Sequence, residues 1–261
     1  MKILILTDLE GISGVNSITD IFEEQTEGYH LARRRLMADT NTAVRAAFDA
    51  GADEVFVVDG HGSANNFLPG VLDARAVQCK LSAFAPSMPT VDAVIAIGMH
   101  AMAGTLHAFL DHTQSSKTIH NYFYNGTPIG ELMQLGVYAG YYGIPCVAVS
   151  GDDAACAEAR ALFGEDVAVA SVKHTDRRNT AECIPFDDAE ERIYWAVRKG
   201  IANRDRIAPI PLTLPLEVTV EFNTTSLCDD VCAARPELVR VNGYCARSIK
   251  YAVEEYRDVL L

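Results

Sequence analysis

Long apolar runs are missing from this chain. No stretch reaches the roughly 18–20 residues that a membrane-spanning helix needs, so no membrane partner is expected. Basic residues are scarce: 22 Lys and Arg stand against 35 Asp and Glu, a formal net charge of −13. That balance excludes nucleic acid and anionic lipid as expected partners, because both want a Lys/Arg patch. The start of the sequence has one Lys, then an apolar run without a small-residue cleavage site. No signal peptide is expected, and a cytoplasmic protein is the simplest reading. The seven cysteines include no Cys-x-x-Cys pair. Cys146 lies in an apolar run and reads as core; Cys228 and Cys232, four apart, would share a helix face, and only Cys245 could join them as a metal ligand. There is no Gly-x-x-x-x-Gly-Lys-Ser/Thr loop, no Gly-x-Ser-x-Gly elbow and no His-Glu-x-x-His, and Gly11-x-x-Gly14 is too weak to read as a dinucleotide loop. Internal repeats and low-complexity segments are absent too.

What is present is core-forming sequence, 49% hydrophobic over 261 residues, enough for one large domain with an appendage. Lys2-Ile3-Leu4-Ile5-Leu6, Glu54 to Val58, Ala93 to Ile97 and Cys146 to Val149 are short apolar runs of the kind that form strands buried on both faces. Between and after them, residues from about Tyr29 to a C-cap at Gly51, then 131–142, 154–163 and 189–199, carry helical spacing. Strand–helix–strand units of this length predict an α/β fold, a mostly parallel sheet flanked by helices. Thr118 to Tyr124 followed by Asn125-Gly126 predicts a hairpin. Past Pro209, Pro211 and Pro215 the texture changes. Leu216, Val218, Val220 and Phe222 alternate with polar residues as in a half-exposed strand, and the span from about Ala246 to Val259 reads as a helix. The expected organisation is a catalytic α/β domain over 1–209 and a small C-terminal β/α subdomain over 210–261, packed on the first.

In parallel α/β sheets ligands bind beyond the carboxyl ends of the strands. The residues there are Asp8 and Glu10 after the first run, Asp59 and His61 after the second, His100 after the third, and Asp152 and Asp153 after the fourth, while Glu131 opens the helix that follows the hairpin. Each has a plain explanation. Asp8 could cap a helix beside a solvated Glu10, His61 could be a turn residue between glycines, His100 a satisfied buried imidazole, and Glu131 a partner for the helix macrodipole. Capping is the expected role of Asp152 and Asp153. Together, Asp8, Glu10, His61, His100 and Glu131 form a mixed set of imidazoles and carboxylates at one sheet edge. That donor set suits zinc, and manganese and iron also accept it. Five ligands exceed what one catalytic zinc takes but suit two metals sharing a carboxylate, here Asp8, and such a pair serves hydrolysis. Asp59 is placed to orient His61 from behind. The stretch from Ala103 to Ser116 can fold over this edge, with His112 the stronger and His107 the weaker candidate for handling a proton or acting as nucleophile.

The segments Asp8-x-Glu10-Gly11-Ile12-Ser13-Gly14, Asp59-x-His61-x-x-x-Asn65-Asn66, Gly98-x-His100-Ala101, Gly130-Glu131-Leu132 and Ser150-Gly151-Asp152-Asp153 occur in this order. They resemble the motifs of the DppA-type D-aminopeptidase family of bacterial zinc peptidases, closely to about residue 210 and more loosely beyond. The resemblance implies a two-zinc site on Asp8, Glu10, His61, His100 and Glu131, with His112 as the catalytic histidine. It implies release of N-terminal D-residues, notably D-Ala, from short peptides, and a ring-like homodecamer. Other readings on the same scaffold are a metal-dependent amidase or phosphoesterase, and a metal- or nucleotide-binding module without catalysis.

Overall fold

The structure is a computed structural model and describes residues 1–22, 26–80 and 88–261. Its strands, in chain order, are β1 (Lys2–Thr7), β2 (Glu54–Asp59), β3 (Val77–Cys79), β4 (Ala93–Met99), β5 (Ile119–Tyr124), β6 (Thr127–Pro128), β7 (Cys146–Asp152), β8 (Ala168–Arg177), β9 (Thr180–Cys183), β10 (Leu216–Phe222), β11 (Val239–Arg240) and β12 (Cys245–Lys250).

The apolar runs at β1, β2, β4 and β7 form the centre of a sheet ordered β3-β2-β1-β4-β7-β8-β9. Every pairing in it is parallel except β8 with β9. Ile3 to Ile5 and Ala93 to Ile97 are essentially without exposed surface, which is why these strands lack the alternation of a half-exposed sheet. The helices Glu27–Asp49 and Phe186–Ala202 pack on each other and on the sheet; Glu131–Tyr141 and Asp153–Phe163 form a second such pair. The α/β expectation is met. The strands β8, β9 and β3 are additions that the sequence reading passed over. Leaving β1, the chain builds outward through β2 and β3, then returns to lay β4 on the other side of β1. The direction of winding therefore reverses between β1 and β4, and a crevice opens there at the strands' carboxyl ends.

A second, antiparallel sheet runs β11-β12-β10-β5-β6. The hairpin turn is as expected: Asn125 and Gly126 both have positive φ, 48° and 78°. β10 alternates buried and half-buried along its whole length. Residues after 210 thus share a sheet with the hairpin β5–β6, which precedes them by some ninety positions. The helix expected over Ala246 to Val259 does not form. Cys245–Lys250 pairs instead with β10, Glu217 opposite Ile249 and Val220 opposite Ala246, and only Tyr256–Val259 makes a short 3-10 turn. The apolar spacing there suits a helix, but cross-strand pairing at the sheet outweighs local pattern. Cys228 and Cys232 do lie on one helix, Thr225–Ala234, capped by Thr224. No helix among the described residues is long and apolar enough to cross a membrane.

Candidate active site

The loop that leaves β1 is zipped to the end of β4. Asp8 N donates to Ile97 O and Gly11 N to Gly98 O, each at 2.8 Å. Glycine is required at position 11, since a Cβ there would sit 2.1 Å from Met99 O. Further along, Ser13 N and Oγ donate to the buried Asp39 carboxylate at 2.8 and 2.6 Å. From β8 the fully buried Lys173 donates its Nζ to Glu10 O at 2.7 Å and Val15 O at 2.6 Å. These bonds fix the backbone that carries Asp8 and Glu10. Both carboxylates then turn to one point, where His61 Nδ1 lies 3.0 Å from Asp8 Oδ1 and 2.9 Å from Glu10 Oε2.

His61 stands on the turn after β2. Asp59 accepts from His61 N at 3.3 Å and from Asn66 N at 2.6 Å, and Asn66 Nδ2 donates to His61 O at 2.9 Å. Asp59 therefore orients His61 through the backbone of its loop and not through the ring. His100, directly after β4, is buried; its Nδ1 faces Ala101 O at 3.0 Å, which makes that nitrogen the donor and turns Nε2 to the cluster. That Nε2 lies 3.3 Å from Asp8 Oδ2 and 3.4 Å from Glu131 Oε1. Glu131, at the first position of its helix, is steadied by Gln114 N, which donates to Oε1 at 2.7 Å. All five residues expected at the sheet edge thus converge. Asp8 is the hinge of the set, with one oxygen toward His61 and the other toward His100.

The segment after β4 folds over this edge as expected. His112 stacks on His100 with ring centroids 3.8 Å apart. Its Nδ1 donates to Leu110 O at 2.8 Å, so its Nε2 also faces the cluster, 3.9 Å from both Glu10 and Glu131. His107 is exposed and outside the cluster. Asp152 caps the following helix through Ala155 N at 2.8 Å and also accepts from Phe109 N at 2.7 Å, which anchors the overlying segment. Three residues there, His107, Leu110 and Gln114, hold positive φ without being glycine, a strain concentrated next to the cluster.

The electrostatics follow from burying three carboxylates among imidazoles. Burial alone would lift the Asp8 pKa, yet the His100 and His61 imidazoles beside it hold it well below the usual range. Glu131 is lowered in the same way: burial opposes, and His100 prevails. Burial works against charge on His61 and His100, but Glu10 with Asp8, and Glu131 with Asp8, raise those imidazoles well above the ordinary value. Two buried atoms, Glu10 Oε2 and His100 Nε2, find no partner of hydrogen-bonding geometry among the described residues although charged neighbours lie within 3.4 Å. Cations bound at the cluster would satisfy both. Groups of this kind with ligand atoms within 4.8 Å of one another are Asp8, Glu10 and His100, and His100, His112 and Glu131.

The cluster forms part of the wall of a cavity of about 790 Å³. The sequence reading missed two contributors to this region. Lys173 was missed because β8 was, and the turn at Tyr256–Val259, which also lines the cavity, because that span looked helical.

The D-aminopeptidase family model matches residues 1–261. A D-aminopeptidase of Bacillus subtilis (strain 168) is 30% identical over 228 residues, 85% of this chain and 81% of that protein. The fold also matches, with a TM-score of 0.91, 24% identity and coverage of 100% of this chain and 95% of the other, a solved structure described as a Zn-dependent D-aminopeptidase DppA from Bacillus subtilis, a self-compartmentalizing protease. This chain belongs to the D-aminopeptidase family.

Proposed function

We propose that this family member is a zinc-dependent aminopeptidase that removes an N-terminal D-residue, of the D-alanine type, from short peptides. Family membership supports the reaction, and the zinc dependence of the structurally similar Bacillus protein supports the metal. The single observation that carries the reading is the convergence on Asp8: its two oxygens face two different histidines, His61 at 3.0 Å and His100 at 3.3 Å. A carboxylate so placed suits a pair of cations better than one. Asp8, Glu10 and His61 would hold the first; Asp8, His100 and Glu131 the second. Zinc bound there supplies Lewis-acid polarisation of a peptide carbonyl and activation of water.

The chain's own residues do the rest. Leu110 O fixes the His112 tautomer, so Nε2 is free to take a proton from the attacking water and return it to the departing amine. His100 stacked against that ring prevents it from swinging away. The segment over the cluster narrows access for water, and the cavity has room for a peptide of a few residues. The same reading includes self-association into a ring-like homodecamer, in keeping with the similar Bacillus protein, which is a self-compartmentalizing protease. The test is hydrolysis of D-Ala-p-nitroanilide against the L-isomer, with zinc and with a chelator. Activity on the D-isomer that disappears with the metal supports the reading; preference for the L-isomer, or indifference to chelation, contradicts it.

A further inference from the structure

The direction of the His112 ring depends on one bond, from its Nδ1 to Leu110 O at 2.8 Å. That carbonyl belongs to a strained residue. Leu110 is bulky, buried and held at a φ of 53°, a conformation that such a side chain leaves unless its surroundings fix it. Arg178, far along the chain on the turn between β8 and β9, supplies the restraint. The peptide before Leu110 is held because Leu110 N donates to Arg178 O at 2.7 Å. The peptide after Asp111 is held because Asp111 O accepts from Arg178 Nε at 3.2 Å and from Nη2 at 3.1 Å. The peptide that presents Leu110 O to His112 lies between these two. The guanidinium also pairs with the Asp111 carboxylate, Nε to Oδ1 at 2.9 Å, and the other oxygen of that carboxylate accepts from Gly104 N at 2.7 Å. The turn that carries Arg178 has its own anchors: Ile18 N donates to Asn179 O, and Ala181 N to Asn16 O. None of these bonds ends on Asp8, Glu10, His61, His100 or Glu131.

We propose that Arg178 is a positioning residue for the hydrolysis: it holds the Leu110–Asp111 backbone so that His112 Nε2 points at the attacking water and the departing amine. This rests on the aminopeptidase reading above and on the part His112 plays in it. The proton moves on the imidazole; Arg178 does not line the cavity. Without the guanidinium, Leu110 relaxes toward negative φ, its carbonyl turns from Nδ1, and the ring loses the bond that aims Nε2. The five ligand candidates keep their own supports, so the cluster still binds zinc. Lysine keeps the charge but replaces a planar fork with a point donor, so it serves the Asp111 carboxylate and carbonyl less completely.

The test measures kcat, KM and bound zinc with D-Ala-p-nitroanilide in the wild type, Arg178→Ala, Arg178→Lys and His112→Ala. Arg178→Ala is expected to lose roughly 10- to 100-fold in kcat, part of the about 10²–10⁴ that general acid–base catalysis contributes, with KM and zinc content unchanged. Arg178→Lys recovers part of that loss. Guanidinium ion, kept far below denaturing strength, restores part of kcat in Arg178→Ala, because the site is 39% exposed and open to it, and does nothing for His112→Ala. A wild-type kcat in Arg178→Ala overturns the proposal. So does zinc lost in step with activity in both Arg178 variants, which would assign the arginine to the fold, and so does a loss that neither lysine nor guanidinium relieves. If Arg178→Ala does not fold, Arg178→Lys decides alone: a lowered kcat at full zinc supports the proposal, and a wild-type kcat overturns it. The two readings fail separately. A wild type inactive on this substrate, or a His112→Ala with full kcat, removes the mechanism above and this inference with it; a His112-dependent wild type whose Arg178→Ala is unimpaired removes the positioning role alone.

Discussion

Removing either histidine imidazole from the cluster leaves buried carboxylates facing each other without a neutralising partner. His61→Ala and His100→Ala are each expected to reduce bound zinc and to abolish hydrolysis of D-Ala-p-nitroanilide; elemental analysis and the assay check this together. Lys173 is the less obvious residue. Burial, opposed by neighbouring anionic groups, draws its pKa down to about 8, and its Nζ is the donor for two loop carbonyls. Lys173→Met keeps the buried stem but leaves Glu10 O and Val15 O without that donor. It is expected to weaken zinc binding about 10- to 100-fold, the usual cost of losing support behind a ligand, measured by competition with a chelator. The five ligand candidates were legible in the sequence because each closes an apolar run or opens a helix. Lys173 was not, since a lone lysine in a strand gives no sign that it will be buried.

The same cluster sets a pH dependence. In the metal-free chain His61 and His100 are raised above their ordinary value, so their contribution to stability is full below about 6.5 and is lost as pH rises through the raised values. Zinc requires the deprotonated imidazoles and gains as protons leave. The difference in melting temperature between zinc-loaded and chelated protein should therefore widen from pH 6 to pH 8.5. A difference that narrows over that range would place the metal elsewhere.

At the scale of elements, the site depends on how closely the loop after β1 lies on the end of β4. Gly11→Ala puts a methyl group 2.1 Å from Met99 O, and the contact is backbone that cannot rotate away. The loop must lift. A destabilisation of about 1–3 kcal/mol, typical of overpacking, should appear in denaturant unfolding, together with loss of bound zinc. The elements that the sequence disclosed were those whose pattern comes from the sheet centre, where the interiors of β1, β2 and β4 are apolar. The hairpin was disclosed by Asn125-Gly126, which needs positive φ at both positions. Local pattern failed at Cys245–Lys250. Ala246, Ile249 and Val253 have helical spacing, yet β10 offered Glu217 opposite Ile249, and the pairing decided the structure. That failure also hid the turn Tyr256–Val259 that lines the cavity.

At the scale of the whole molecule, the chain is acidic but not uniformly polar outside. Val239, Val241, Tyr244, Ile249 and Tyr251 are exposed on and around β11 and β12, and β11 is an edge strand. Exposed apolar groups on an open edge are tolerated when association covers them. Sedimentation analysis should accordingly find a large homo-oligomer; a monomer at micromolar concentration would contradict the assembly.

On the proposed function, cations join Asp8, Glu10, His61, His100 and Glu131 into one catalytic unit. Zinc stoichiometry and D-Ala-p-nitroanilide hydrolysis, followed in one sample as a chelator is titrated in and zinc is added back, test it most directly. About two zinc ions per chain are expected, with activity lost as they leave and restored as they return. Less than about one transition metal per chain after purification without chelator, or activity that survives its removal, would contradict it.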